Sequence, residues 1–544
     1  MNYSKQGALD KQQALAAKAL KWGRKLLLLL LKLTLVVCLS AGIVAAGGVL
    51  GVLKGVIDTS PDISQMTIAP TRFSTFIYDS EGNQTAKLLA SDERIKVNNE
   101  VVGDTTITSY FDNAVSEQVY QDLLAAGYNE DQAYVLLYSG GLKIFSTQDP
   151  DVQAICDTIY MDESNYPESS KWLLEYRLSV ARADGETQHH SSAMYRKYFR
   201  ENGKSNFNML YSSKEGSRTL NCATEITRPP GSTFKVLASF GPALDASSFT
   251  LATTVNDAPF NYYDGTPVKN WYSNSDTPYR GLVPIRMGIY DSLNIVAVKT
   301  LTQINPQLGY EYLLKFGFST LETAKEVDGQ IFSDIHQTLA LGGLTSGVTN
   351  LELNAAYAAI ANGGTYLEPK LYTKVVDNNG TVILDNTQTV SRRVIKETTA
   401  FLLTNAMQDT VIRGTGTAVN FSGMPIAGKT GTTTDDLDVW FSGYTPYYTA
   451  TTWTGYDNNN AKLSVDRAQL NLSKTLWKKV MEKIHENLPI LDKSNSSSLC
   501  PNTTRGYIAT FPSNSYASDN ALPQIKFSSE FIYNLLIVMP PLNK

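Results

Sequence analysis

The stretch RPPGSTFKVLASFGPALD, Arg228 to Asp245, holds the only Ser-x-x-Lys of this 544-residue chain, at Ser232 and Lys235. Two prolines and a glycine precede the serine, and the lysine follows one helical turn later. Gly231 permits a tight turn into a helix, and Ser232 then sits near its N-terminus, where backbone N–H groups favour developing negative charge. Residues three apart share a helix face, so the Lys235 amine is expected within hydrogen-bond reach of the Ser232 hydroxyl. A serine hydroxyl is a weak nucleophile until a base takes its proton. A lysine serves as that base only when burial or a neighbouring cation keeps it neutral. Read alone, the stretch is better taken as an ordinary capped helix with a lysine one turn on.

Two further motifs follow in chain order. YDSLNIVAVK contains Ser292-Leu293-Asn294, in which a serine and an asparagine two apart on a turn can both face one cleft. The serine is suited to relaying a proton, and the asparagine amide both donates to and accepts from an amide substrate. IAGKTGTT contains Lys429-Thr430-Gly431, read as a strand with Lys429 and Gly431 on one side and Thr430 on the other. The glycine admits a close neighbour, and the lysine supplies positive charge for a carboxylate. Ser518-Asp519-Asn520 also fits Ser-x-Asn, but it stands in a polar tail with no sign of a packed cleft.

Ser-x-x-Lys, Ser-x-Asn and Lys-Thr-Gly in this order are the set found in penicillin-binding proteins and class A β-lactamases. From about Asn113 to Leu488 the chain resembles the class A penicillin-binding proteins. The likeness extends through SGGLKIFSTQDPDVQ, RPPGSTFK, YRGLVPIRMGIYDSLNIVAVK, LALGGLTSGVTNLELNAAYAAIANGGTY and AGKTGTTTDDLDVWFSGYTPYYTATTWTGYD. The resemblance implies an α/β fold of α+β type, an antiparallel sheet flanked by helices, and a D,D-transpeptidase that crosslinks peptidoglycan stem peptides through a serine acyl-enzyme. It implies Ser232 as nucleophile, Lys235 as base and Ser292 as proton relay. Asn294 would hold the donor peptide, and Lys429, Thr430, Gly431 and Thr432 would form the strand that binds the substrate carboxylate. The Ser232 and Thr432 N–H groups would form the oxyanion hole. β-Lactams would acylate the same serine, and neither metal nor cofactor is required.

Composition agrees with a folded, non-nucleic-acid-binding chain: 42% apolar, 18% charged, net charge −5. Cys38, Cys156, Cys222 and Cys500 lie far apart and no histidine is spaced with them, so neither a disulfide framework nor a zinc site is expected. His189-His190 reads as a solvated pair. Leu33 to Leu53 carries no charge over a length that spans a bilayer, and Lys5, Lys11, Lys18, Lys21, Arg24 and Lys25 precede it against Asp10 alone. The expectation is a bacterial single-pass membrane protein: cytoplasmic residues 1–25, an anchor over 26–57, and the remainder outside the membrane. A cleaved signal peptide is the competing reading.

Along the chain, RFSTFIYDSEGNQTAKLLA reads as a hairpin about Ser80-Glu81-Gly82-Asn83, and Asn113 to Tyr138 as two helices stopped at Gly127 and Gly140. LKIFSTQDPDVQ is a strand followed by a helix start at Asp149-Pro150. TNLELNAAYAAIANGG is a helix with a Thr349/Glu352 capping box and a left-handed stop at Gly363. PIAGKTGTT, DVWFSGY and YTATTWTGY are three strands, and LSKTLWKKVMEKIHENL is a helix with Leu472, Leu476, Val480 and Ile484 on one face. Residues 160–220 are polar and weakly patterned.

The chain departs from its family in two places. The glycosyltransferase domain expected after LLASDERIKVNNE, with its Glu-Asp-x-x-Phe-x-x-His motif, is missing, and residues 58–140 contain no histidine. Residues 58–140 are therefore a linker with the flanks of a lost domain, 141–488 the transpeptidase, and 489–544 a polar tail. Glycan polymerisation is not expected. Second, the two strands that begin the transpeptidase sheet are expected just before the nucleophile, and FNMLYSSKEGSRTLNCATEITRPPGS lacks them; Cys222 also replaces an expected arginine. The sheet is accordingly expected to lack its first two strands. The alternatives are an impaired cell-wall scaffold, which would act through other cell-wall proteins, and a β-lactamase or β-lactam sensor. The second needs another base to hydrolyse the acyl-enzyme, and no glutamate presents itself.

Overall fold

A computed structural model describes residues 73–88, 109–166, 174–182, 190–191, 194–196, 223–388, 390–456, 463 and 467–488. The expected membrane anchor, the tail after 488 and Ser518-Asp519-Asn520 lie outside them. Among the described residues no helix is long and apolar enough to cross a membrane.

In chain order the elements that frame the site begin with β1 (Thr75–Tyr78), β2 (Gln84–Leu88), α1 (Tyr110–Ala125), α2 (Glu130–Ser139), β3 (Lys143–Ser146) and α3 (Pro150–Met161). Then come β4 (Leu174–Arg182), the short β5 (His190–Ser191) and β6 (Met194–Arg196), α4 (Asn294–Ile304) and α5 (Asn350–Ala361). The series closes with β7 (Tyr372–Val376), β8 (Val382–Asp385), α6 (Glu397–Ile412), β9 (Ala427–Thr432), β10 (Asp438–Tyr444), β11 (Tyr448–Tyr456) and α7 (Arg467–Ile484).

The main sheet runs β9-β10-β11-β4, antiparallel throughout, with β5 and β6 both paired to β4. Its central strand β10 is buried along its whole length. Alternation sends Trp440 and Tyr444 into one core with the 234–244 segment, α4, α5 and α6, and sends Val439 and Phe441 into a second core with α3 and α7. On α7 the expected stripe Leu472, Leu476, Val480 and Ile484 is buried in that second core. The capping box at Thr349 and Glu352 starts α5, and Gly363 takes a left-handed φ of 60° beyond its end.

The expectation that the sheet lacks its first two strands is overturned. Leu174–Arg182 pairs with β11 over nine residues, from Tyr448↔Arg182 to Tyr456↔Leu174, on the side away from the Lys-Thr-Gly strand. It ends some 50 residues before Ser232 rather than immediately before it. Its sequence LEYRLSVAR alternates Leu, Tyr, Leu, Val with Glu, Arg, Ser, Ala, the period-2 signature of a strand. That signal was lost in a surrounding stretch rich in charge. Pairing with β4 removes the open edge that β11 would otherwise present.

A smaller sheet, β8-β7-β3-β1-β2, joins the expected β1–β2 hairpin to strands on both sides of the nucleophile in sequence. Its own core takes Ile77, Val115, Val119, Leu123, Leu137, Ile144, Tyr372 and Val375. The Tyr372 hydroxyl donates to Asp122 on α1 at 2.5 Å. The boundary expected at residue 141 therefore divides a single sheet.

Candidate active site

Ser232 lies in a single 3-10 turn, Gly231–Thr233, which passes at Lys235 into a π-helical segment and then an α-helical one ending at Ala246. The capped α-helix of the sequence reading is thus replaced by a tighter turn followed by a wider coil, with no side-chain cap. Gly231 has φ +56°, and a Cβ there would stand 2.8 Å from Thr432 O and 3.1 Å from Thr432 N. Only glycine lets the Lys-Thr-Gly strand lie directly on the nucleophile turn. From the other side, a Cβ on Gly431 would meet Pro230 O at 2.7 Å and Thr233 Cγ2 at 2.8 Å. Three more bonds hold the turn: Trp440 Nε1 donates to Pro229 O at 2.9 Å, Tyr357 Oη to Thr233 O at 2.8 Å, and Thr233 Oγ1 to Pro230 O at 2.8 Å.

The three motifs meet at one hydroxyl. Ser292 has φ +56°, an unusual conformation for a residue with a side chain, and its Oγ lies 3.0 Å from Lys235 Nζ and 2.7 Å from Lys429 Nζ. Lys235 Nζ also donates to Ser292 O at 2.6 Å and Asn294 Oδ1 at 2.5 Å, and Lys429 Nζ to Thr430 O at 3.0 Å. The sequence reading paired Lys235 with the Ser232 hydroxyl; the amine instead fills its positions on the Ser292 turn. Lys235 is fully buried, so its polar group must be satisfied, and that turn supplies three acceptors. Ser232 itself is partly exposed.

Both lysines are driven toward neutrality. Burial, then the Lys429 charge, holds the Lys235 amine well below the ordinary lysine range. Burial lowers Lys429 to about 7, with Asp291 opposing the shift. A consistent proton arrangement follows. A charged Lys429 donates to Ser292 Oγ, the Ser292 hydroxyl donates to the lone pair of neutral Lys235, and Lys235 spends its two protons on Ser292 O and Asn294 Oδ1. Thr430 faces away from Lys429, as strand alternation requires, and its hydroxyl lies 2.7 Å from that of Thr415. Thr432 is exposed at the strand's end.

Residues 180–482 match the family model described as the penicillin binding protein transpeptidase domain, more than half of the chain. This chain belongs to that family. A relative named penicillin-binding protein 1A from Clostridium botulinum (strain Langeland) is 33% identical over 402 residues, covering 70% of this chain and 44% of the relative. Penicillin-binding protein 1A/1B of Bacillus subtilis (strain 168) is 26% identical over 442 residues, covering 77% and 43%. The chain thus spans less than half the length of these relatives. Among solved structures, the penicillin-binding protein PonA1 of Mycobacterium tuberculosis superposes with a TM-score of 0.57 at 21% identity, over 75% of this chain and 99% of that one.

Within this transpeptidase fold, hydrogen bonds join Lys235, Ser292, Asn294 and Lys429, and the turn carrying Ser232 lies against Gly431 and Thr432, while Thr430 turns its side chain to Thr415. Motif reading missed Asn270, whose Oδ1 accepts from Asn294 N at 2.9 Å, and Trp271, whose Nε1 donates to Asp291 O at 2.9 Å. Neither belongs to a short pattern, and the 20-odd residues between them and Ser292 carry no periodic signal.

Proposed function

We propose that the chain is a peptidoglycan D,D-transpeptidase that works through an acyl-enzyme on Ser232. The observation that carries the proposal is Ser292 Oγ seated between the buried Lys235 and Lys429, with Ser232 partly exposed on the turn that leads into Lys235. Ser232 Oγ attacks the penultimate D-Ala carbonyl carbon and its proton passes to Lys235, whose lone pair turns from the Ser292 hydroxyl to Ser232 for the step. The Ser232 and Thr432 N–H groups receive the developing oxyanion. The amide bond to the terminal D-Ala breaks, and Ser292 relays the proton from Lys235 to the leaving amine. An amino group of a neighbouring stem peptide then attacks the ester, forms the crosslink and returns the proton to Ser232; water in its place gives carboxypeptidase action. Lys429 and Thr432 hold the terminal carboxylate, Asn294 the donor amide, and Thr430 acts from the far side of the strand through Thr415. β-Lactams would open on the same serine.

The proposal includes a membrane location, supported by the uncharged Leu33–Leu53 run behind its basic flank. It excludes glycan polymerisation between β2 and α1, where 20 residues (89–108) are far fewer than the roughly 50 of a small domain. The test is exchange on a D-Ala-D-Ala-terminated peptide with a free D-amino acid as acceptor. Release of D-Ala with formation of the exchanged peptide, lost in Ser232→Ala, is expected. A folded chain that releases no D-Ala refutes the activity.

A further inference from the structure

Three consecutive residues outside the motifs, Lys269-Asn270-Trp271, grip the Ser292–Asn294 turn at three points. Asn294 Nδ2 donates to Lys269 O at 2.7 Å, Asn294 N and Ile295 N donate to Asn270 Oδ1 at 2.9 and 3.2 Å, and Trp271 Nε1 donates to Asp291 O at 2.9 Å. Helix α4 starts after Leu293, whose side chain cannot accept the unpaired N–H groups of the first turn. Asn270 supplies that acceptor from another loop.

Its amide is held from behind. Asn270 Nδ2 donates to Asp257 Oδ1 at 2.8 Å and to Tyr272 Oη at 2.9 Å, while Tyr272 Oη and Arg280 N donate to Asp257 Oδ2 at 2.5 and 2.8 Å. Asp257 and Asn270 are both buried. A carboxylate only accepts, so the Asn270 amide must turn its NH2 to Asp257 and its oxygen to α4. By the same logic Lys269 O fixes the NH2 end of Asn294 and thereby presents the Asn294 oxygen to Lys235, at 2.5 Å.

We propose that Asn270, oriented by Asp257 and flanked by Lys269 and Trp271, is a positioning residue for acylation: it holds Ser292 in its left-handed conformation, with the hydroxyl between the two lysines. The proposal rests on the reading that Ser232 is acylated. A serine at positive φ is strained, so the bonds around the turn must over-determine it. The four bonds from Lys269, Asn270 and Trp271 do so from a neighbouring loop.

The test is the second-order rate of acylation by penicillin across a pH series, on the full chain, with the melting temperature of each variant recorded. Asn270→Ala is expected to slow acylation about tenfold or more, the scale of one lost buried hydrogen bond in the transition state, and to displace the acid limb of the profile. Asn270→Asp alone sets two carboxylates face to face and is expected to fail similarly. The double variant Asp257→Asn/Asn270→Asp exchanges donor for acceptor and is expected to recover most of the rate. Trp271→Phe keeps an aromatic ring at this exposed position and removes the bond to Asp291 O, so it remains informative if the buried variants fail to fold; a smaller but measurable slowing is expected. Variants that melt earlier yet acylate at the wild-type rate with the wild-type pH profile overturn the proposal. So does a double variant no better than Asn270→Asp. A wild-type chain that takes no penicillin overturns the underlying reading and the proposal with it.

Discussion

At the scale of the residue, the site is an arrangement of two lysines that burial keeps from being ordinary lysines. Burial and the Lys429 charge hold Lys235 well below its usual range, whereas burial lowers Lys429 to about 7, so its charge is lost as pH rises through that value. The sign follows. As pH falls through the lowered value of Lys235 the base is protonated and acylation slows; as pH rises through about 7 Lys429 loses the charge that attracts a carboxylate. Second-order acylation by a carboxylate-bearing β-lactam is therefore predicted to fall on the alkaline side with a midpoint of about 7, some three units below a solvated lysine at roughly 10.4. A pH–rate series checks this, and a rate that is flat from neutrality to about pH 9 contradicts it. The identities of the two lysines were legible because each sits in a local motif. The left-handed Ser292 and the clamp behind it were not, because Asn270 meets Asn294 only through the tertiary fold.

At the scale of the element, the nucleophile turn and the Lys-Thr-Gly strand are matched surfaces, and Gly431 is where they touch. A methyl group there would meet a backbone carbonyl, Pro230 O, at 2.7 Å, which cannot move aside as a flexible side chain can. Gly431→Ala is predicted to cost about 1–3 kcal/mol of stability. It should also slow acylation about tenfold or more by shifting Thr432 relative to Ser232. Thermal melting and acylation kinetics measure the two effects, and an unchanged rate refutes the contact's role. Most elements around this contact were readable. The aromatic and β-branched runs of β10 and β11, the capping box of α5 and the apolar stripe of α7 are all local patterns that tertiary packing reinforces. Strand β4 is harder to read because it stands some 50 residues before Ser232, in a polar and charged stretch that hides its nine-residue alternation.

At the scale of the whole molecule, the chain folds back on itself in ways no local pattern records. The β1–β2 hairpin and helices α1 and α2 form a core with β7 and β8, which come from more than 200 residues later, so the segment before the transpeptidase domain is built into it. Likewise β4 completes the main sheet on the flank opposite the Lys-Thr-Gly strand, giving the groove a continuous backing. The motifs revealed which residues gather; only the long-range pairings explain what holds them in place. On the proposed function, this assembly makes Ser232 an acylating nucleophile. The most direct measurement is the intact mass of the folded chain after exposure to penicillin, compared with Ser232→Ala. A single stable adduct equal to the mass of the drug on the wild-type chain, located on the peptide carrying Ser232 and missing from Ser232→Ala, is the predicted result. No adduct on folded wild-type protein, or an adduct that persists in Ser232→Ala, would contradict it.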